Sequence, residues 1–294
     1  MLMSGRWSGE GARVSEAYGA TIAKWRLSRR LKTLREEAGY TANQVCDRLN
    51  WGRGKVGRFE ANSWVRPELS DIRDLARVYG QVDGDLEELE RLAAHARARA
   101  WWRGYPEVFA NEFPGFEADA SSIRVMTPLV LPGLLQTPAY IRALMATGAR
   151  SGAWRDAALA ARLRRQRILD RDDGTAPELL AIISEASLLF RWGGREDRRA
   201  QLAHLVEMGR RPNIEIRLLR FGDGLYPGMS TLVNLFRFPG EPSMVYLEND
   251  VAIQENTDPE SVEAYEQIVQ RAREAALGPA ETADFLDKMT DTLE

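Results

Sequence analysis

Two arginines bracket the most chemically directed stretch of this chain, Arg53-Gly54-Lys55-Val56-Gly57-Arg58. On a helix predicted over 53–61, Val56 and Phe59 are three apart and turn inward. Arg53, Gly54, Gly57 and Arg58 then share the opposite, exposed face. An arginine on such a face can grip guanine O6 and N7 with two parallel N–H donors. Lys55 falls at the margin, where an ammonium suits a phosphate. Each glycine costs the helix about 0.5–1 kcal/mol relative to alanine, yet lets the backbone itself approach a partner closely.

Those side chains need a frame, and the preceding residues supply one. Ile22, Trp25, Leu27, Leu31 and Leu34 form an apolar stripe on a helix predicted over 22–38, which Gly39 can end in a left-handed conformation. Thr41 then caps a second helix, and Gln44 completes a capping box; the Gln44 end of that helix is expected to anchor phosphate. Val45, Cys46 and Leu49 face inward. Cys46, the only cysteine, stands where two helices approach most closely, so it reads as a packing residue. Asn50 occupies the turn before the third helix, where a positive φ is needed. Two further helices are expected at 68–79 and about 85–99, with Leu69, Ile72, Leu75 and Ala76, then Leu86, Leu89, Leu92 and Ala93, inward.

This segment resembles the Xre-type helix-turn-helix of bacterial repressors, a bundle of five helices, over roughly residues 22–95. The resemblance implies double-stranded DNA as partner, with Gln44, Arg53, Gly54, Lys55, Gly57 and Arg58 at the interface, and a homodimer on paired half-sites. It also implies a buried ion pair between Arg35 and Glu60, tying the first helix to the end of the third. Ala42 departs from the pattern, since many relatives carry a backbone-contacting glutamine there. Gly54 and Gly57 depart too, on a face that usually carries polar side chains.

Charge distribution agrees with a nucleic-acid partner. Residues 21–80 hold 13 Lys/Arg against 7 Asp/Glu, while the rest holds 27 against 36. A basic module on an acidic body suits phosphate attraction. The apolar fraction of 44% and charged fraction of 28% are those of an ordinary globular chain. The first twenty residues lack the apolar run of about seven that a secretory signal needs and are expected to be a disordered tail. No apolar stretch is long enough to span a membrane, and a single cysteine fits a reducing cytosol; a cytoplasmic location is expected.

The expected organisation is α+β overall: a five-helix domain at 21–99, then a larger α+β domain at 100–294 with a small mixed or antiparallel sheet. The second domain opens on a cluster of aromatics (Trp101, Trp102, Tyr105, Phe109, Phe113, Phe116) that reads as core, because the local charge is not basic. Thr137 and Pro138 start a helix, and a charged helix follows at about 155–170. Strands are predicted at 179–183, 214–219, 232–238 and 244–247, with a helix at 195–208 between the first two. Asp258 and Pro259 begin a long helix to about Leu277, and Pro279 begins the last. The segments FEADA (116–120), LVLPGLLQTPAY (129–140), PNIEIRLL (212–219), PGMS (227–230) and VYLE (245–248) resemble a C-terminal domain common in actinobacterial regulators of the WhiJ-like or antitoxin-like kind. That resemblance implies transcriptional regulation and a small protein partner encoded by a neighbouring gene; the body is expected to bind that partner or a small effector, and a closed apolar pocket in it would favour a ligand-responsive sensor.

An enzyme is not expected. His95 and His204 read as surface or packing residues, and no two-histidine metal spacing, phosphate loop or dinucleotide fingerprint occurs. Glu185, directly after a strand, could line a pocket, but a satisfied carboxylate is the simpler reading. No catalytic residue, cofactor or metal is expected.

Overall fold

The computed structural model describes residues 19–64, 67–81, 84–98, 100–248 and 252–292. The expected tail therefore lies outside the described residues except for its last two positions.

The first domain is built from five helices: α1 (Ala20–Glu37), α2 (Ala42–Arg48), α3 (Lys55–Glu60), α4 (Leu69–Val78) and α5 (Gly84–Ala96). Ile22, Leu27, Leu31 and Leu34 are buried along α1 as their spacing required, with Val45 and Cys46, Val56 and Phe59, Ile72 and Leu75, and Leu89 and Leu92 meeting them. Gly39 has φ 75° and Asn50 φ 53°. Both stand at the turns that demand a left-handed residue. The Thr41 capping box forms in both directions: the Gln44 N–H donates to Thr41 Oγ1 at 3.3 Å, and the Thr41 N–H donates to Gln44 Oε1 at 2.8 Å.

One boundary differs from the expectation. The third helix starts at Lys55, not Arg53, because Gly54 adopts φ 83° and serves as its N-cap. A residue at that φ cannot continue a right-handed helix, so Arg53 sits in the turn ahead of α3.

After a 3₁₀ turn at Trp101–Gly104 come α6 (Phe113–Asp119), α7 (Pro138–Ala146), α8 (Gly152–Gln166), α9 (Ala186–Leu189), α10 (Arg195–Gly209), α11 (Pro259–Ala275) and α12 (Pro279–Thr292). The charged helix α8 begins earlier than expected, since Ser151 caps it through the Trp154 N–H, and its last expected residues form a separate 3₁₀ turn at Arg167–Asp170. The strands are β1 (Ser122–Thr127), β2 (Glu178–Ser184), β3 (Ile214–Leu219), β4 (Val233–Phe238), β5 (Glu241–Glu248) and β6 (Ile253–Asn256). They form one mixed sheet in the order β3-β2-β1-β4-β5-β6, parallel across β3, β2 and β1 and antiparallel from β1 through β6. Two of these strands, β1 and β6, are additional to the four read from sequence.

The sheet has a helix layer on each face. Met126, Ile182, Leu235 and Val245 pack with Val262, Val269 and Ala272 of α11. On the other face Ile123, Ala181, Ile216, Phe236 and Tyr246 join a core that continues, without a break, into α1, α4 and α5 of the first domain. The aromatic cluster is packing, as expected: Trp101 meets Trp102, Tyr105 and Phe109 edge to face, and Phe113 meets Tyr246 at 4.7 Å between ring centres.

Candidate nucleic-acid interface

Arg35 and Glu60 make the ion pair that aligns α3. Arg35 Nε donates to Glu60 Oε1 at 2.6 Å and Nη2 donates to Oε2 at 3.0 Å, while Nη1 reaches the Tyr40 carbonyl at 2.7 Å. The two-fold grip fixes the last residue of α3 against α1 and against the turn entering α2. The hydrogen bonds to Glu60 hold the guanidinium above even its usual high pKa.

On the frame so fixed, α3 buries Val56 and Phe59 and exposes Arg58; Arg53 and Gly54 are exposed in the turn before it, and Gly57, expected on the exposed face, is half-buried beside its neighbours in the helix. Among the described residues, no carboxylate pairs with Arg53 or Arg58. Arg58 lies beside Gly54, its Nη1 3.7 Å from where a Cβ on Gly54 would stand. A Cβ on Gly57 would meet nothing within 4 Å. No packing demand inside the chain explains Gly57, so its open side is a notch facing outward. Gln44 is exposed; its Oε1 is committed to the cap, leaving the amide NH₂ for an outside acceptor.

Lys55 is placed differently from a free phosphate anchor. Its ammonium pairs with Asp71 of α4 at 2.7 Å and lies 3.9 Å from the centre of the Trp51 ring. A phosphate would have to compete with both. Arg48, which the sequence did not single out, is exposed at the end of α2 with its guanidinium 4.5 Å from the Tyr40 ring centre. Nothing in the spacing of residues 40 and 48 announces that stacking, because Tyr40 lies outside α2.

The positive surplus of the first domain is partly used internally. Lys24, Arg26 and Arg29 of α1 face the second domain, where Lys24 lies 3.6 Å from Glu112, and Arg26 and Arg29 lie 3.3 and 3.1 Å from Glu241. Burial lowers the Lys24 pKa, against the opposing pull of Glu112. The arginines of the α3 end are on a different part of the bundle and stay unpaired.

Residues 26–89 match the family described as a helix-turn-helix domain. Residues 110–288 match the family described as Domain of unknown function (DUF5753). The chain belongs to that family. No curated protein and no solved structure matches it. The helix-turn-helix match supports a DNA-binding regulator of Xre-like kind, and its span contains every residue of the interface just described. Within the DUF5753 region, Glu185 accepts the Phe221 N–H at 2.8 Å and so has a structural partner. His204 is half-buried on α10, where burial lowers its pKa. Among the described residues no group of three or more His, Cys, Asp or Glu side chains is arranged to hold a metal, and no helix is long and apolar enough to cross a membrane.

Proposed function

We propose that the chain is a cytoplasmic transcriptional regulator whose reader, residues 21–99, binds double-stranded DNA as a homodimer. The carrying observation is the pair of unpaired, exposed guanidinium groups at Arg53 and Arg58, set around a backbone notch at Gly57. In this reading α3 enters the major groove, where Arg58 and Arg53 read guanine edges. Gly54 and Gly57 bring the backbone close to the duplex. Gln44 and Arg48 hold phosphates at the ends of α2, and Lys55 contributes when a phosphate displaces Asp71. Two-fold pairing would place the half-sites about one helical turn apart. Selection of bound duplexes from a random library with the purified full chain tests this. Enrichment of a paired motif containing guanine is expected; recovery of the input distribution would refute it.

A second reading makes the body, residues 100–294, the antitoxin-like end, grasping a small protein from a neighbouring gene while DNA binding serves autoregulation. Large apolar side chains exposed in the segments after β2 and β3, among them Phe190, Phe221 and Leu225, favour it, because a partner that covered them would bury apolar surface now open to water. Co-expression with the adjacent short reading frame should give a stable complex that Phe221→Ser weakens. Separate elution of the two proteins would remove this reading.

A further inference from the structure

A cavity of about 190 Å³ opens between the sheet, α6, α8 and the loop at 128–136. Its size suits a metabolite below the usual range of drug-sized sites. One wall is apolar, with Phe113, Ile123, Val130 and Leu144. The other is polar and unusually charged. Glu117 and Arg165 are both buried there, with Arg165 Nε 3.0 Å from Glu117 Oε2. Burial pushes the Glu117 carboxyl up, against the pull of the two arginines.

Beside that pair stands Arg162, whose Nη1 donates to Gln136 Oε1 at 3.2 Å. Among the described residues no carboxylate reaches Arg162 at ion-pair distance. Burial, then the neighbouring charge of Arg165, lowers its guanidinium to about 10, so it stays charged at neutral pH. Thr127, only 3% exposed, lines the same cavity with its hydroxyl unpartnered. Glu248 lines the cavity as well and pulls on Arg162, so the wall carries two guanidinium groups and two carboxylates; only Arg165 and Glu117 are in contact, and Arg162 is left with one neutral acceptor. Groups left in that state are costly unless a ligand completes them.

The cavity is also held open by design of the backbone. A Cβ on Gly133 would lie 1.7 Å from Arg165 Nη2, so only glycine lets the guanidinium in. Gln136 Nε2 donates to the Leu131 carbonyl at 2.7 Å, Gln166 Nε2 to the Gly133 carbonyl at 2.9 Å, and Gln201 Nε2 to the Leu135 carbonyl at 2.8 Å. Three glutamines therefore pin the loop, and the site is preformed.

We propose that this cavity binds a small monocarboxylate with a compact apolar body, its carboxylate received by the Arg162 guanidinium. The proposal stands whether or not the first domain reads DNA. The α6 helix that supplies Phe113 and Glu117 also packs Gly115 on Thr21 of α1, so an occupant lies one helix from the reader.

The test uses the full chain with benzoate, phenylacetate and 4-methylpentanoate, each beside its uncharged amide. Ligand-observed NMR and calorimetry report binding. At least one carboxylate should bind saturably at one site, with its amide and the Arg162→Met variant each weaker by about tenfold or more. Ligand-free Arg162→Met should melt no lower than the parent, because in the empty cavity the half-buried Arg162 makes no ion pair at contact distance and only one neutral hydrogen bond. If no carboxylate of the three binds in an Arg162-dependent way, or if ligand-free Arg162→Met melts well below the parent, the site is structural and the proposal fails.

Discussion

Asp119 caps a helix that belongs to the other domain. Its Oδ2 accepts the Ile22 N–H at 2.9 Å, across 97 residues of sequence. The N-cap residue of α1 is Gly19, which has no side chain to do this. A Cβ there would stand 2.0 Å from Asp119 Oδ1, so the absent side chain is what admits the carboxylate. Burial, opposed by the backbone N–H groups and Arg171, raises Asp119 to about 6.

That value fixes a pH dependence. The folded state holds its proton more tightly than the unfolded chain, whose aspartate titrates near 3.9. The stability from this group is therefore complete below about pH 4 and is lost as pH rises through about 6. Asp119→Asn keeps an acceptor for the Ile22 N–H and should flatten that part of the profile. Asp119→Ala should cost about 1 kcal/mol through the lost cap. Thermal melts from pH 4 to 8 check both, and an unchanged slope in Asp119→Asn would contradict the assignment.

Gly115→Ala should weaken the junction between the domains. The added methyl would lie 2.0 Å from Thr21 Oγ1 and 2.5 Å from the Trp102 ring, so α6 and α1 must separate. Overpacking of this kind costs about 1–3 kcal/mol. Urea unfolding followed by tryptophan fluorescence measures it, and parental stability would show that the two helices do not pack this closely.

Glu60→Ala should destabilise the reader by about 3 kcal/mol, because it strands the half-buried Arg35 guanidinium. Exchanging both residues for apolar ones of similar volume should restore much of the loss. A double variant as unstable as the single one, in chemical denaturation, would argue against the ion pair as the cause.

Gly57→Ala separates folding from binding. Nothing within 4 Å opposes the methyl, so α3 should gain about 0.5–1 kcal/mol. DNA affinity should nevertheless fall, because the notch is filled. Parallel melting and DNA titration decide it; a gain in both would mean the duplex does not approach the Gly57 backbone.

The reader was legible from local rules because its determinants are local. Thr41 and Gln44 are three apart, Gly39 and Asn50 mark their own turns, and the α1 stripe repeats at helical spacing. The start of α3 lies two residues beyond what periodicity suggests, since Gly54 fits a helix face by spacing and a left-handed cap by φ equally well. In the body, β2 through β5 were visible as apolar runs. β1 carries Arg124 in its middle, and β6 is an edge strand of mostly polar residues, Ile253–Asn256, so neither shows a clean alternation. The pairing of Lys55 with Asp71, the capping by Asp119 and the cavity around Arg162 all join residues far apart in sequence. No spacing rule reaches them. Gly133 stands in plain view within LVLPGLLQTPAY, but its reason, room for Arg165, exists only in three dimensions.

The most direct test of the DNA-reading account is a titration of Arg53→Ala, Arg58→Ala and Lys55→Ala against the selected duplex and a scrambled one, across a series of salt concentrations. The account predicts that each arginine variant loses about 1–3 kcal/mol on the selected duplex and little discrimination-independent binding. Lys55→Ala should lose less, and alike on both duplexes. Selected-site affinity equal to the parent in both arginine variants would contradict it.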